Sequence, residues 1–194
     1  MKILKRIGIV ALILILTVIV FRGWFYRHLI TYKSIGKRTS YVANNPNLLQ
    51  FIDSNSNKSE LEITYIIKTS LSLTSKTLDF TDGANDKDPN QLITSKHANC
   101  IGYAAFFSTL CNQLLEKNNL NDQWVAKPLI GQLYFLNKNI HPYFKSAFFK
   151  DHDFAIIENK ITGKVFAVDP SLNDYTGIEY VRFKSAHQQW KLQK

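Results

Sequence analysis

Between residues 45 and 117, apolar residues recur at the spacing of helices that bury one face. Asn45 followed by Pro46 is typical of a helix start, because asparagine caps helices well and proline fits their first turn. The apolar stripe of this helix would comprise Leu48, Leu49, Phe51 and Ile52. Ser59 and Glu62 match a capping box, which predicts a second helix with Ser59 as its N-cap. Its stripe would comprise Ile63, Ile66, Ile67 and Leu71.

The third predicted helix begins at Cys100 and runs to about Lys117. Asn99 is a preferred N-cap residue, and it therefore puts Cys100 at the first helical position. The buried stripe of this helix would comprise Ala104, Phe107, Cys111, Leu114 and Leu115, with Cys100 at its head.

Beyond this helix the pattern changes to short, strand-like apolar runs. They span residues 124–131, 132–136, 154–157 and 165–168, with a weaker run at 180–183. Helices followed by strands predict an α+β fold. In this fold the N-terminal helices, with the cysteine at a helix N-terminus, would pack on an antiparallel β-sheet.

An uncharged apolar run from Ile7 to Phe21 precedes these elements. Fifteen residues fall short of the roughly 20 that cross a bilayer core, but the run reaches that length through Tyr26 if Arg22 snorkels. A cleaved signal peptide is the main alternative, although no small-residue cleavage site follows the run. A buried core helix is the third alternative. The predicted organisation is a single-pass membrane anchor at 1–27, a linker at 28–45 and one domain at 46–194.

The formal charge of +9 is unevenly distributed along the chain. Residues 1–40 hold eight Lys or Arg and no acidic residue, which leaves sixteen basic and fifteen acidic residues in the rest. The body of the protein is therefore nearly neutral, and no nucleic-acid partner is indicated. Because basic residues flank the apolar run on both sides, the positive-inside rule does not determine the side of the membrane.

The two cysteines, Cys100 and Cys111, would lie about 16 Å apart along one helix, too far to form a disulfide with each other. Cys111 is predicted to be a buried structural residue. A zinc site that includes Cys100 and His152 would lack the spacing of known zinc motifs. The Asp/Asn-rich loop at 81–90 lacks the closing glutamate of an EF-hand. The sequence therefore predicts no metal and no cofactor.

Cys100 is the candidate nucleophile, because only a thiolate attacks a carbonyl and the first turn of a helix favours a thiolate. The unpaired backbone N–H groups of that turn would also bind the oxyanion of a tetrahedral intermediate. Gly102 would allow substrate or backbone to approach closely. A thiol, an imidazole and a carboxylate together make an activated cysteine nucleophile, and His152 and Asp169 supply the last two.

His152 and Asp169 flank two strand-like runs that would form a hairpin. In the predicted register His152 lies directly opposite Asp169 on one face, with Cβ atoms about 5 Å apart. The next pairs on that face would be Phe154 with Ala167 and Ile156 with Val165. Asp169 would then hold one ring nitrogen of His152 and leave the other for Cys100.

Several short segments between residues 63 and 174 follow one another in an order that is characteristic when they are taken together. They are the helix leading to Asp79-Phe80-Thr81, the loop Asp88-Pro89-Asn90-Gln91-Leu92, the helix start Cys100-x-Gly-Tyr-Ala-Ala-Phe-Phe, the strand Trp124–Gly131, and the segments His152-Asp-Phe-Ala and Val168-Asp169-Pro170-Ser171. In these segments the chain resembles the transglutaminase-like superfamily, which shares a papain-like cysteine-proteinase core. The family's cysteine, histidine and aspartate correspond to Cys100, His152 and Asp169.

Two features depart from the pattern of that family and bear on substrate preference. The family often has a tryptophan soon after its histidine, whereas this chain has Phe154. About twenty residues, 132–151, also separate the strand after the cysteine helix from His152. Gln91 is an oxyanion-hole candidate by residue type only, with a plain loop role as the alternative. Exposed or structural roles are predicted for His97, His141 and His187.

The resemblance implies a thiol enzyme that acts on amide or ester bonds of a peptide or protein substrate, and the apolar run at the N-terminus would anchor it in a membrane. Cys100 would attack the carbonyl, His152 would move the proton, and Asp169 would orient His152. Water or an amine would resolve the thioester, and no motif distinguishes hydrolysis from acyl transfer. The alternative is a catalytically inactive module of the same fold that binds a peptide or partner protein at the membrane. The aromatic residues of segment 142–149 would then form its binding surface.

Overall fold

The computed structural model describes residues 2–56, 62–83, 85–144 and 151–184. Within these ranges the helices are α1 (Lys2–Val20), α2 (Arg22–Leu29), α3 (Pro46–Asn55), α4 (Ile63–Thr77), α5 (Pro89–Ser95), α6 (Cys100–Lys117) and α7 (Pro170–Thr176). The strands are β1 (Ile30–Lys37), β2 (Asp79–Phe80), β3 (His97–Ala98), β4 (Trp124–Phe135), β5 (Lys138–Asn139), β6 (His152–Asn159), β7 (Val165–Val168) and β8 (Phe183–Lys184), and a 3-10 turn spans His141–Tyr143. The predicted α+β class is confirmed.

One sheet carries most of the strands, in the order β7-β6-β4-β1-β8, with β5 paired to the end of β4. Its paired strands run antiparallel except β1 and β8, which are parallel. β2 and β3 form a separate parallel pair just before α6. Helix α6 packs across β4 and β6, and α4 and α7 pack against α6. The helix that carries both cysteines therefore lies in the middle of the core.

Three predicted helix starts can be compared with the structure. α3 begins at Pro46, and the side chain of Asn45 accepts the N–H of Asn47, as its N-cap role predicts. α6 has the predicted bounds. α4 follows its predicted stripe but begins at Ile63, with an extended Glu62 at the N-cap position. The predicted capping box is therefore wrong, because an extended Glu62 cannot be the third helical residue, and Ser59 lies outside the described residues.

The segment predicted to be a linker, 28–45, contains an inner strand of the sheet. β1 lies between β4 and β8, and its residues Thr31 and Tyr32 are buried. The linker prediction is therefore wrong for β1. Because the neighbours of these two residues are polar and basic, the sequence pattern did not indicate a strand here. Its burial also depends on distant pairing, since Tyr32 faces Leu133.

Two strand predictions also change in detail. The runs at 124–131 and 132–136 form one continuous strand, β4. The weak run at 180–183 contributes only Phe183, which opens β8. The run at 165–168 has its predicted bounds in β7.

The N-terminal apolar run bends instead of forming one straight helix. The segments Arg6–Val20 and Arg22–Leu29 meet at an angle of 74°. Among the described residues no single helix has both the length and the apolar character to cross a membrane, and only this bent pair meets those criteria jointly. The side chains of α1 from Ile7 onward are exposed, so α1 is not a core helix of this domain.

Candidate active site

Cys100 is the first residue of α6, and the cap before it sets its position. Asn99 is the N-cap, and its side-chain oxygen accepts the N–H of Ile101 at 3.1 Å and of Gly102 at 3.4 Å. The predicted cap is confirmed, and the thiol is half-buried. The sequence predicts that the N–H groups of the first turn bind an oxyanion, but the cap already occupies two of these groups. The N–H of Cys100 itself is the donor left outside the cap.

Gly102 brings the first turn of α6 close to the segments that precede it. A Cβ at this position would lie 2.8 Å from Cβ of Ala98 and 3.1 Å from Cδ1 of Leu92. Carbon atoms do not pack that closely, so a side chain here would push the helix start away from β3 and α5. The sequence predicts that Gly102 lets either substrate or backbone approach closely. The structure shows the close approach of other segments of the chain.

His152 opens β6 and is 1% exposed. It pairs with Gly131 of β4, where a Cβ would lie 2.6 Å from the ring of Phe154. Its Nε2 lies 2.5 Å from Oδ2 of Asp169. The structure therefore brings His152 and Asp169 together, as the sequence predicts.

The register that produces this contact differs from the predicted one. β6 and β7 pair Ala155 with Val168 and Ile157 with Phe166, a shift of two residues. His152 is therefore not directly opposite Asp169, and the two side chains meet diagonally beyond the end of β7. The side-chain period of a strand is two, so this slip leaves every side chain on its predicted face.

The turn between the two strands explains the shift. The side-chain oxygen of Asn159 accepts the N–H groups of Ile161 and Thr162, and the N–H of Gly163 bonds to the Asn159 carbonyl. Gly163 has a φ of 71°, the left-handed conformation that glycine adopts readily. The N–H of Asn159 bonds to the Lys164 carbonyl, so the turn is centred one residue further along the chain than predicted, and this moves the register by two residues.

Asp169 lies at the junction of β7 and α7, and it is 1% exposed. As the N-cap of α7 its Oδ1 accepts the N–H of Leu172 at 3.0 Å and the hydroxyl of Ser171 at 2.8 Å. Its Oδ2 accepts the hydroxyl of Tyr32 at 2.7 Å and faces His152. Both oxygens of the buried carboxylate are therefore satisfied and fixed.

The buried pair of His152 and Asp169 favours its charged form. Burial alone would raise the pKa of Asp169, but the charge and hydrogen bond of His152 hold that pKa below its usual value. Burial alone would lower the pKa of His152, but the charge of Asp169 and hydrogen bonds with Asp169 and Cys100 raise it to about 10. At neutral pH an imidazolium therefore lies between a carboxylate and a thiol. Because Asp169 holds Nε2, Nδ1 is the ring nitrogen that would serve the thiol.

Tyr32 is a site residue that the sequence analysis missed. It is fully buried on β1, and its ring centroid lies 6.1 Å from that of His152. Burial, and then the charge of Asp169, hold the pKa of Tyr32 well above its usual value, so the phenol stays protonated as a donor. The available signal was the strand-forming run Ile30-Thr31-Tyr32 inside a basic segment.

Arg38 places a cation near the thiol. Its Nε and Nη2 donate to Oδ2 and Oδ1 of Asp153 at 2.6 and 3.1 Å, a bidentate pair with a fully buried carboxylate. The hydrogen bond that Arg38 donates to Asp153 is the main cause that raises the pKa of Arg38, and the interaction with Cys100 adds to it. Asp153 thus points away from the face of His152, as strand alternation predicts.

The other candidate residues do not join this cluster. His97 and Gln91 are exposed on β3 and α5, and His141 lies in the 3-10 turn. His187 and Phe148-Phe149 lie outside the described residues. Within the described ranges, no group of three or more His, Cys, Asp or Glu side chains is arranged to hold a metal ion.

Comparison with known proteins gave no relative. No protein family, no curated protein and no solved structure matches the chain. Its function is therefore inferred from its own residues.

Proposed function

We propose that this protein is a membrane-anchored thiol enzyme of transglutaminase-like type that acts on amide or ester bonds of a peptide or protein. The observation that carries the proposal is the 2.5 Å contact between His152 and Asp169 beside a thiol in the first turn of a helix. The nucleophile is half-buried while its two partners are almost fully buried. A substrate can therefore reach the sulfur, whereas water does not weaken the charges that activate it.

The proposed reaction begins with attack of the Cys100 thiolate on the carbonyl carbon, so that a C–S bond forms and the carbonyl electrons move to oxygen. The N–H of Cys100 donates to this oxyanion. As the intermediate collapses, His152 gives its Nδ1 proton to the leaving amine or alcohol, and a thioester remains. His152 then takes a proton from water or an amine that attacks the thioester. Breaking the C–S bond restores the thiolate, while Asp169 keeps the ring oriented throughout.

The layout of the fold supports the transglutaminase-like type. A helix that begins with the nucleophile packs on an antiparallel-rich sheet, in which the histidine opens β6 and the aspartate follows β7. The three residues follow the order of that family along the chain. Exposed apolar side chains along α1 would hold the domain at a membrane.

Acylation of Cys100 by a generic acyl donor tests the proposal. The full chain with Cys111→Ser, in a non-ionic detergent, is mixed with p-nitrophenyl acetate, and nitrophenolate release and intact mass are followed. We expect a burst of about one nitrophenolate per chain and one acetyl group on Cys100, because deacylation is a separate step. Cys100→Ser should abolish the burst, and His152→Ala should slow it on the order of 100-fold.

A burst that is equally fast with and without His152 would contradict the proposal. The exposed Tyr143 and Phe144 would then favour the alternative, a non-catalytic module that binds a peptide or partner protein. An added amine, such as glycine methyl ester, separates the two enzymatic outcomes. A transferase would form the amide, whereas a hydrolase would release only acetate.

A further inference from the structure

We propose that Tyr32, supported by Tyr26, is a positioning residue that holds the carboxylate of Asp169 in the orientation that His152 needs. This role deepens the proposed function, on which it rests. Both tyrosines precede the segment 46–194 in which the sequence predicts the whole domain.

A continuous chain of hydrogen bonds links the two phenols to the carboxylate. The Tyr32 hydroxyl donates to Oδ2 of Asp169 at 2.7 Å, and the hydroxyl oxygens of Tyr26 and Tyr32 lie 2.6 Å apart. A phenol has one proton, so Tyr26 must be the donor between the two phenols, because Tyr32 gives its proton to Asp169. Each donor in the chain therefore favours the negative charge of Asp169.

The position of Tyr32 on the carboxylate gives it control over orientation. Oδ1 of Asp169 is already fixed by Ser171 and Leu172 at the start of α7. The remaining rotation of the carboxylate depends on the contacts of Oδ2, which both Tyr32 and His152 make. Tyr32 thus sets the direction from which Oδ2 meets the imidazole.

The surroundings of this hydrogen bond are dry, so a lost donor is not replaced by water. Tyr32 is fully buried, and Asp169 and His152 are each 1% exposed. The ring of Tyr32 packs 5.2 Å, between centroids, from that of Phe154. Phenylalanine at position 32 would keep this ring packing and remove only the hydroxyl.

Tyr26 brings α2 into this network, and a second contact ties the same helix to α7. Arg22 of α2 donates to the backbone carbonyl of Thr176, in the last turn of the helix that Asp169 caps. Helix α2 therefore contacts both the hydrogen-bond chain and the far end of α7. A chain shortened to begin after β1 would lose both phenols and this brace.

Three tyrosine-to-phenylalanine variants of the full chain, each with Cys111→Ser, test the role. One readout is the pH dependence of Cys100 alkylation by iodoacetamide. The other is the titration of the Asp169 carboxyl by carbon-13 NMR, assigned with Asp169→Asn. The titratable groups around Asp169 are His152 on β6 and Tyr32 on β1, with Tyr26 on α2 and Cys100 on α6 one step further away.

Because the Tyr32 hydrogen bond favours the ionised carboxylate, Tyr32→Phe should raise the pKa of Asp169 by about one pH unit. The acid limb of the alkylation profile should move up with it, and the lost orientation of His152 should lower the rate at neutral pH about 10-fold. Tyr26→Phe should act in the same direction but less. The matched control is Tyr103→Phe, because this buried phenol donates to Asp174 at 2.7 Å, outside the site, and should move neither readout.

An unchanged Asp169 titration in Tyr32→Phe would overturn the positioning role, even where Cys100 of the parent chain is activated and the proposed function stands. Equal shifts in Tyr32→Phe and Tyr103→Phe would also overturn it, since they would reflect general loosening of the fold. A parent chain whose Cys100 is not activated would overturn the proposed function instead, and the carboxyl titration would still decide whether Tyr32 holds Asp169. If Tyr32→Phe does not fold, Tyr26→Phe supplies the same test with the same sign.

Discussion

The two cysteines of α6 place the same functional group in opposite settings on one helix. Cys100 lies in the first turn, half-buried, where it interacts with His152 and with the charge of Arg38. Cys111 lies about three turns further along and is fully buried. Burial raises the pKa of the Cys111 thiol to about 12, and a hydrogen bond with Ser70 offsets only part of that effect.

The difference predicts unequal reactivity for two thiols of one helix, because nearby charges and access to solvent set the reactivity of a thiol. The thiol of Cys100 lies at the start of a helix, where it interacts with His152 and Arg38, and we propose that this setting activates it. In the middle of the helix, apolar neighbours oppose any charge. We therefore propose that α6 has a reactive end, where the sheet supplies His152, and a middle that serves packing.

The largest expected effect is on the relative labelling of the two thiols. In the native full chain at neutral pH, iodoacetamide should label Cys100 at least about 1000-fold faster than Cys111, because Cys111 reacts only when the core opens. Time-resolved peptide mass spectrometry measures both rates. Labelling in concentrated urea, where the two settings become alike, is the control. Similar labelling rates of Cys100 and Cys111 in the native chain would contradict the expected difference between the two thiols.

The next largest effect is expected from Asp169→Asn. Asparagine keeps the N-cap of α7 but removes the charge that raises the pKa of His152, so the imidazole becomes neutral at lower pH. The alkylation rate of Cys100 near neutral pH should fall on the order of 100-fold, while labelling of Cys111 stays slow. Ser171→Ala, which removes a partner of Oδ1 only, is the milder matched variant. An unchanged rate in Asp169→Asn would mean that the carboxylate does not tune the thiol.

The parts of the site that follow local rules could be predicted from the sequence. Asn99 caps α6 and Cys100 is its first residue, because cap preference acts between neighbours along the chain. The contact of His152 with Asp169 was predicted through a register that is wrong by two residues. The period of the strand made that error harmless, although the turn at Asn159 was not foreseen.

The parts that depend on distant pairing could not be predicted. Tyr32 meets Asp169 across 137 positions of sequence, and Arg38 meets Asp153 across 115. Both residues lie in the segment that its polar and basic composition presented as a linker. A pattern along one strand shows which side chains share a face, but it does not show which strand will lie next to it.

Between acid and neutral pH, stability should depend on pH through the charged pair, whereas the buried thiol of Cys111 has an effect only above about pH 9. The lowered pKa of Asp169 means that its contribution is present above about pH 4 and is lost as the pH falls through that lowered value. The raised pKa of His152 means that its contribution is complete below about pH 6.5 and is lost as the pH rises towards about 10. The free energy of unfolding should therefore be highest between about pH 4 and 6.5.

Urea unfolding at a series of pH values measures this window. We expect the free energy of unfolding to fall by about 2 kcal/mol on either side of it. Asp169→Asn should flatten the profile, whereas Cys111→Ser should shift it without changing its shape below about pH 8. If Asp169→Asn leaves the shape of the pH profile unchanged, the charges of His152 and Asp169 do not cause the pH dependence of stability.

The smallest effect is expected from replacing Asn99, the N-cap residue of α6. Asn99→Ala should lower the free energy of unfolding by about 1 kcal/mol, because the amides of Ile101 and Gly102 lose their acceptor. Asn99→Asp is the matched variant that keeps the cap but adds a negative charge beside Cys100. It should preserve stability yet slow alkylation of Cys100 a few-fold. Chemical denaturation and alkylation rates separate the two effects, and equal stability of the alanine and aspartate variants would argue against the cap.

Activation of Cys100 by His152 is tested most directly by the alkylation rate of Cys100 from about pH 5 to 9, in the full chain with Cys111→Ser. With His152 present, a fast rate should persist well below the ordinary thiol pKa of about 8.5, because the imidazolium stabilises the thiolate. With His152→Ala, the rate should rise only near that value. A rate that rises only near pH 8.5 in both chains would contradict an activated thiol and leave Cys100 a structural residue.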